Sequence, residues 1–125
     1  TTGRFMKGAA KYAKDQKLSV SFSALDIPRS KKKRPSLSDT ADFLRETLAA
    51  YPPVAFRNLN NGSQHHLDSW HWVTVVSLEW EADGSSAKVT VYDSGTEKTV
   101  DLAAWLITTR RGGGFVRFHR GAEAE

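Results

Sequence analysis

The spacing of apolar residues along the chain alternates between a helical period and a strand period. Apolar positions three or four residues apart predict helices over residues 4–16, after Ser38 or Asp39, and around residues 101–109. Alternating or continuous apolar runs predict short strands, which lie at 18–22, 54–56, 72–80, 87–92 and 115–118. Helices first, then strands with one inserted helix, indicate an α+β fold with a largely antiparallel sheet.

Turn-forming residues separate these elements and organise the chain. The segment 28–35 predicts an exposed loop bounded by prolines, Asn60-Asn61-Gly62 predicts a turn, and Asp83-Gly84 predicts a hairpin. We therefore expect a single domain or part-domain, with a helical segment and basic loop over residues 1–50, a β-rich half over 53–118 and a tail over 119–125.

Composition and charge exclude several classes of function. The chain has 125 residues, enough for one modest core, and its net charge of +4 is concentrated in the basic run 31–34. Because no aromatic residues interleave with that run, we predict a solvated loop and no nucleic-acid partner. No apolar run approaches the roughly 20 residues that span a bilayer, so no membrane span is predicted.

The chain contains no cysteine, which excludes disulfides, thiolate metal sites and a thiol nucleophile from its own residues. It begins at Thr1, and its one methionine is Met6. We therefore expect that residues upstream of Thr1 are missing from this sequence. The compartment stays undetermined, because the absence of cysteine is compatible with any redox environment.

His71 and Asp93 are the residues that favour a chemical role. His71 opens the strongest predicted strand, and Asp93 follows the end of the next one. In an antiparallel hairpin the start of one strand lies beside the end of its partner, so both residues reach the same sheet edge. A carboxylate beside an imidazole fixes the tautomer of the ring, as a base that activates a nucleophile requires. A strand-end histidine and a turn aspartate without chemistry are the alternative.

Several residue runs around this pair carry a family resemblance. They are Pro53-Val54-Ala55-Phe56, Asn58-Leu59-Asn60-Asn61-Gly62, Trp70-His71-Trp72-Val73-Thr74-Val75-Val76 and Val89-Thr90-Val91-Tyr92-Asp93-Ser94-Gly95. Together with the Trp105 helix and the 115–118 strand, they resemble bacterial papain-like cysteine peptidases, especially the group that processes bacteriocin leaders. The resemblance covers residues 53–118 and implies the C-terminal half of a papain-like fold, with His71 and Asp93 in the catalytic triad.

The chain departs from this family because the nucleophilic cysteine, which precedes the histidine segment, is not in it. The polar side chain of the oxyanion hole cannot be placed either. The resemblance therefore implies the His/Asp-bearing portion of a thiol peptidase, with peptide or protein substrates and a cysteine on an upstream segment or a second chain. The alternative is a catalytically inactive papain-like module that binds a peptide or protein. Neither function requires a cofactor, and none is predicted.

Two further clusters have competing interpretations. His65, His66, Asp68 and His71 are zinc-ligand types, but adjacent histidines do not readily face one ion, so a solvated loop is favoured over a metal site. Trp70, Trp72 and Trp80 occupy even positions, which predicts one strand face and core packing. A substrate-binding shelf at Trp70 or Trp72, near His71, is the alternative.

Overall fold

The protein, described here by a computed structural model over residues 20–50, 54–81 and 83–120, has a mixed α+β fold with an antiparallel sheet. This confirms the predicted α+β class. The helix predicted at 4–16 and most of the predicted tail lie outside the described residues. The elements are β1 (Val20–Ile27), α1 (Leu37–Ala50), β2 (Val54–Asn58), β3 (His71–Trp80), β4 (Ala87–Asp93), β5 (Thr96–Asp101), α2 (Leu102–Thr108) and β6 (Gly113–Arg120).

The described strands form one six-stranded sheet in the order β1-β6-β2-β3-β4-β5, and every neighbouring pair is antiparallel. The strands β2 to β5 follow one another as hairpins, whereas β6 inserts between β1 and β2. The segment before α1 therefore belongs to the same sheet as the β-rich half. Both helices pack on one face of the sheet, α1 over β2 and β3 and α2 over β4 and β5.

The core between the helices and the sheet is built around three aromatic rings. Phe56 stacks on Phe115 with their ring centroids 4.7 Å apart, and the edge of Trp105 meets Phe56 at 4.9 Å. All three side chains are fully buried. Such contacts add about 1 kcal/mol per pair to the burial of apolar area, so this cluster fixes α2 against the middle of the sheet.

A β-bulge in β3 changes which side chains face the core. Val75 pairs with Val91 but Ser77 pairs with Thr90, so Val76 is an extra residue. Val73 and Val75 are buried before the bulge, whereas Leu78 and Trp80 face the core after it. The prediction that Trp70, Trp72 and Trp80 share one core-packed face is therefore wrong, because simple alternation does not continue through a bulge.

The helix boundaries follow from local capping. Asp101, at the start of the helix predicted around residues 101–109, caps α2, since its carboxylate accepts a hydrogen bond of 3.0 Å from the backbone N–H of Ala104. The first helix begins earlier than predicted, because the hydroxyl of Ser36, rather than Ser38 or Asp39, accepts from the backbone N–H of Asp39 at 3.0 Å. Neither helix is long and apolar enough to cross a membrane, within the residues that the structure describes.

Arg34 has a structural role that the predicted solvated loop did not include. Lys31–Lys33 form an exposed 3-10 turn, but the half-buried Arg34 guanidinium donates to four backbone carbonyls. These belong to Pro28, Arg29, Leu106 and Thr109. A cation at the carbonyl end of a helix is stabilising, so Arg34 ties this loop to the end of α2.

The Gly112-Gly113 pair allows β6 to approach its neighbours closely. Both residues have positive φ, at 72° and 149°. A Cβ atom on Gly112 would overlap the backbone carbonyl of Ile27, and one on Gly113 would overlap that of Arg57. The α2 helix already ends at Thr108, so the role of the glycine pair is to let β6 enter between β1 and β2.

We expect Gly112→Ala to lower the free energy of unfolding by at least about 2 kcal/mol more than Gly84→Ala does. Gly84 is the matched control, since its φ of 75° is almost the same and its nearest neighbour to a Cβ is 3.9 Å away. The difference therefore isolates the overlap with Ile27. Urea unfolding of both variants measures it, and equal losses would contradict this account of the glycine run.

Candidate functional site

The registers of β2, β3 and β4 bring His71 and Asp93 to one end of the sheet. Asn58 is opposite His71 across β2 and β3, and Thr74 is opposite Tyr92 across β3 and β4. Since side chains alternate along a strand, His71 projects on the same face as Val73, the face that the helices cover. Asp93 projects on that face from the end of β4, so the two side chains meet at its rim.

His71 and Asp93 are hydrogen bonded. The ring Nε2 of His71 lies 2.8 Å from Oδ1 of Asp93. The histidine side chain is 39% exposed, whereas the aspartate side chain is 8% exposed. No described residue makes a hydrogen bond with the other ring nitrogen, Nδ1. The pair thus consists of a buried carboxylate that holds one ring nitrogen and a half-exposed ring whose second nitrogen is available.

Lys98 completes the surroundings of Asp93. Its Nζ lies 3.2 Å from Oδ2 of Asp93, so the two carboxylate oxygens have separate donors. The hydrogen bonds from His71 and then from Lys98 hold the pKa of Asp93 below its usual range, against the opposing effect of burial. Asp93 is therefore ionised throughout the neutral range and is suited to orient a ring and stabilise its protonated form.

Lys98 was missed at the sequence level because β5 was not predicted. Asp93 and Thr96 close a two-residue hairpin, and Ser94 and Gly95 in its turn both have positive φ, at 50° and 90°. Lys98 is opposite Val91 across this hairpin and thus faces the same side as Asp93. A two-residue turn at Ser94-Gly95 was the available signal, since it predicts that the polar run after it returns as a strand.

The loop before His71 is tied to the core through Asn58 and Asn60. Asn58 is buried; its Oδ1 accepts from the indole Nε1 of Trp105 at 2.9 Å and its Nδ2 donates to the carbonyl of Asp68 at 3.0 Å. The carbonyl of Asn60 accepts from the same indole at 3.0 Å. The loop that contains the predicted Asn60-Asn61-Gly62 turn is therefore held by hydrogen bonds to the core, which fix the backbone entering β3.

The structure separates the two tryptophans that were predicted near the site. Trp70 is 65% exposed, has a positive φ of 60°, and lies 5.2 Å from the guanidinium carbon of Arg111, measured to its ring centroid. Trp72 is half-buried and lies opposite Arg57, on the face away from the helices. Of these two side chains, Trp70 thus offers the more exposed aromatic surface next to His71.

A possible set of metal ligands differs from the one considered at the sequence level. Donor atoms of Asp68, His71 and Asp93 lie within 4.8 Å of one another. His66 is directed elsewhere, since its Nε2 hydrogen bonds to the carbonyl of Thr99. The Lys98 ammonium already neutralises Asp93 and competes with any cation there. The arrangement therefore favours a histidine–carboxylate pair over a metal site.

No family model, no curated protein and no solved structure matches the chain.

We expect Asp93→Asn to lower the free energy of unfolding near neutral pH. The difference from the wild type should become smaller as the pH falls below about 4. The pKa of Asp93 is lower in the folded protein than in the unfolded chain. Between these two pKa values the unfolded chain therefore binds more protons than the folded protein does. The contribution of the ionised Asp93 carboxylate to the free energy of unfolding is therefore fully present above its unfolded pKa. It is lost as the pH falls through its folded pKa. Urea unfolding of both proteins across this pH range measures it.

Glu97→Gln is the control for this experiment, because Glu97 is an exposed carboxylate on β5. We expect the free energy of unfolding of that variant to equal that of the wild type at every pH. If the free energies of unfolding of wild type and Asp93→Asn differ by the same amount from neutral to acidic pH, the ion pairs of Asp93 with His71 and Lys98 are contradicted.

Proposed function

We propose that this chain is the His/Asp-bearing portion of a papain-like thiol peptidase, and that its sheet is the C-terminal half of that fold. The observation that carries the proposal is the 2.8 Å hydrogen bond between His71 and Asp93, with the second ring nitrogen available. The sequence resemblance over residues 53–118 supports the same assignment, and the nucleophilic cysteine is expected on an upstream segment or a second chain.

In this proposal the base is Nδ1 of His71. In the Ser-His-Asp arrangement the carboxylate holds Nδ1, and Nε2 takes the proton from the nucleophile. Here Asp93 holds Nε2, so Nδ1 is the nitrogen that faces a nucleophile. Because Nδ1 is bonded to the ring carbon that joins the side chain, the cysteine has to approach close to the backbone of β3.

The chemistry follows from this assignment. Nδ1 of His71 takes the thiol proton and gives a thiolate–imidazolium pair. The thiolate attacks the peptide carbonyl, the C–N bond breaks, and the imidazolium gives its proton to the leaving amine. Water then attacks the thioester with His71 as base, which releases the carboxylic acid and restores the thiol.

Asp93 and Lys98 have positioning roles in this scheme. Asp93 accepts a hydrogen bond from Nε2–H, which selects the tautomer that leaves Nδ1 unprotonated, and its charge stabilises the imidazolium. Lys98 holds the second carboxylate oxygen at 3.2 Å, so Asp93 cannot turn away from the ring without losing a charged partner. Neither side chain exchanges a proton with the substrate.

A catalytically inactive papain-like module that binds a peptide or protein is the second candidate. The absence of cysteine from all 125 residues favours it. The two functions differ in one measurable property, since only the peptidase requires a thiol on a partner segment and a histidine that can take its proton.

The test is peptide hydrolysis by the longest native polypeptide that contains this sequence. We expect hydrolysis that iodoacetamide abolishes and that His71→Ala lowers by at least about a thousandfold, since loss of a general base removes most of the rate of a thiol enzyme. His65→Ala is the control, because His65 is an exposed residue of the loop before β3. Thiol-independent hydrolysis, full activity of His71→Ala, or peptide binding without hydrolysis would overturn the peptidase assignment.

A further inference from the structure

A cleft of about 290 Å³ opens on the same end of the sheet as His71, and its lining is rich in arginine. The strand ends place it there, since Ile27 is opposite Gly113 and Gly113 is opposite Asn58. Asn58 is in turn opposite His71. With adjacent strands about 4.8 Å apart, the backbones of the cleft and of His71 are separated by no more than about three strand spacings. Arg57 projects on the face away from the helices and His71 on the helix-covered face, so a peptide that reaches both has to pass around this end of the sheet.

The charge of the cleft is positive and largely uncompensated. Arg29, Arg57 and Arg111 line it together with a single acidic residue, Asp26. Within the described ranges, none of the three arginines forms an ion pair with a carboxylate. Arg57 is half-buried as well. A partly desolvated guanidinium without a counter-charge is a favourable partner for an incoming anion.

Trp70 connects the cleft to the candidate catalytic pair. The guanidinium of Arg111 lies over its ring at 5.2 Å, which favours one orientation of that charge. Trp70 directly precedes His71 and keeps a left-handed backbone, with φ at 60°. That conformation costs a non-glycine residue about 1 kcal/mol or more, and such strain is concentrated at functional sites.

The size and composition of the cleft favour the carboxylate of a peptide over a polyanion. A volume of about 290 Å³ holds one or two side chains rather than an extended chain. Guanidinium groups match a carboxylate through paired N–H donors. The exposed lysine run does not continue the cleft, since Lys31 lines a different cavity, whereas a nucleic-acid groove carries basic residues along its whole length.

We propose that the cleft formed by Arg29, Arg57 and Arg111 binds an Asp or Glu side chain of a peptide whose neighbouring residues lie along Trp70 toward His71. The site thus selects acidic peptides. Its role as a substrate site rests on the proposed peptidase function, whereas the binding itself does not.

The experiment is fluorescence anisotropy of this chain with a labelled octapeptide of alternating Gly and Glu, and with its Gly/Gln counterpart. We expect the acidic peptide to bind at least about tenfold more tightly, and its affinity to fall as salt is added. Arg57→Gln and Arg111→Gln should each reduce that affinity about tenfold. Arg45→Gln is the charge-matched control, since Arg45 is exposed on α1, and it should change the affinity less than about twofold.

Each alternative outcome overturns the proposal. Equal affinity for the two peptides excludes carboxylate recognition, and an equal loss in Arg45→Gln shows that only net charge matters. Stronger binding of a single-stranded oligonucleotide than of the acidic peptide would assign the cleft to nucleic acid. Thermal unfolding of the arginine variants separates lost binding from lost folding.

The chain itself distinguishes this proposal from the peptidase function, because it contains no cysteine and binding of the acidic peptide requires only the arginine cleft. Binding of the acidic peptide by this chain, without any thiol-dependent hydrolysis by the native polypeptide, would keep the binding site and remove the peptidase role.

Discussion

The indole N–H of Trp105 is the contact on which the geometry of the site depends most. It donates to Oδ1 of Asn58 and to the carbonyl of Asn60, so a fully buried core side chain also holds the end of β2 and the start of the following loop. Asn58 is opposite His71 and also binds the carbonyl of Asp68. Because buried polar groups are costly to leave unpaired, this network strongly constrains the backbone that presents the histidine.

From this support the candidate site is assembled by strand register. His71 enters from β3, Asp93 from the end of β4 and Lys98 from β5, so three consecutive strands each supply one side chain to the same rim of the sheet. Rigid elements hold such a constellation more precisely than loops do. The fixed carboxylate and the half-exposed ring favour an acid–base role, whereas an unsupported surface histidine would be free to rotate.

The sequence predicted those parts of the structure that depend on local signals. Asp101 capping the second helix, the strong β3–β4 hairpin and the proximity of His71 and Asp93 all follow from periodicity and turn residues. The bulge at Val76 was not predictable in this way, because inserting one residue leaves the apolar pattern apparently continuous. Arg34 was missed for a different reason, since its partners are distant carbonyls and carry no local signature. Lys98 was missed because β5, which the Ser94-Gly95 turn could have indicated, was not predicted.

The proposed function requires that Asp93 holds Nε2 of His71 and leaves Nδ1 unprotonated to act as the base. Nitrogen-15 NMR of the histidine rings tests it directly in this chain, without a cysteine. At a pH where the ring is neutral, the account predicts a protonated Nε2 and an unprotonated Nδ1, with this preference weakened in Asp93→Asn. A protonated Nδ1, or a tautomer mixture that Asp93→Asn leaves unchanged, would contradict it.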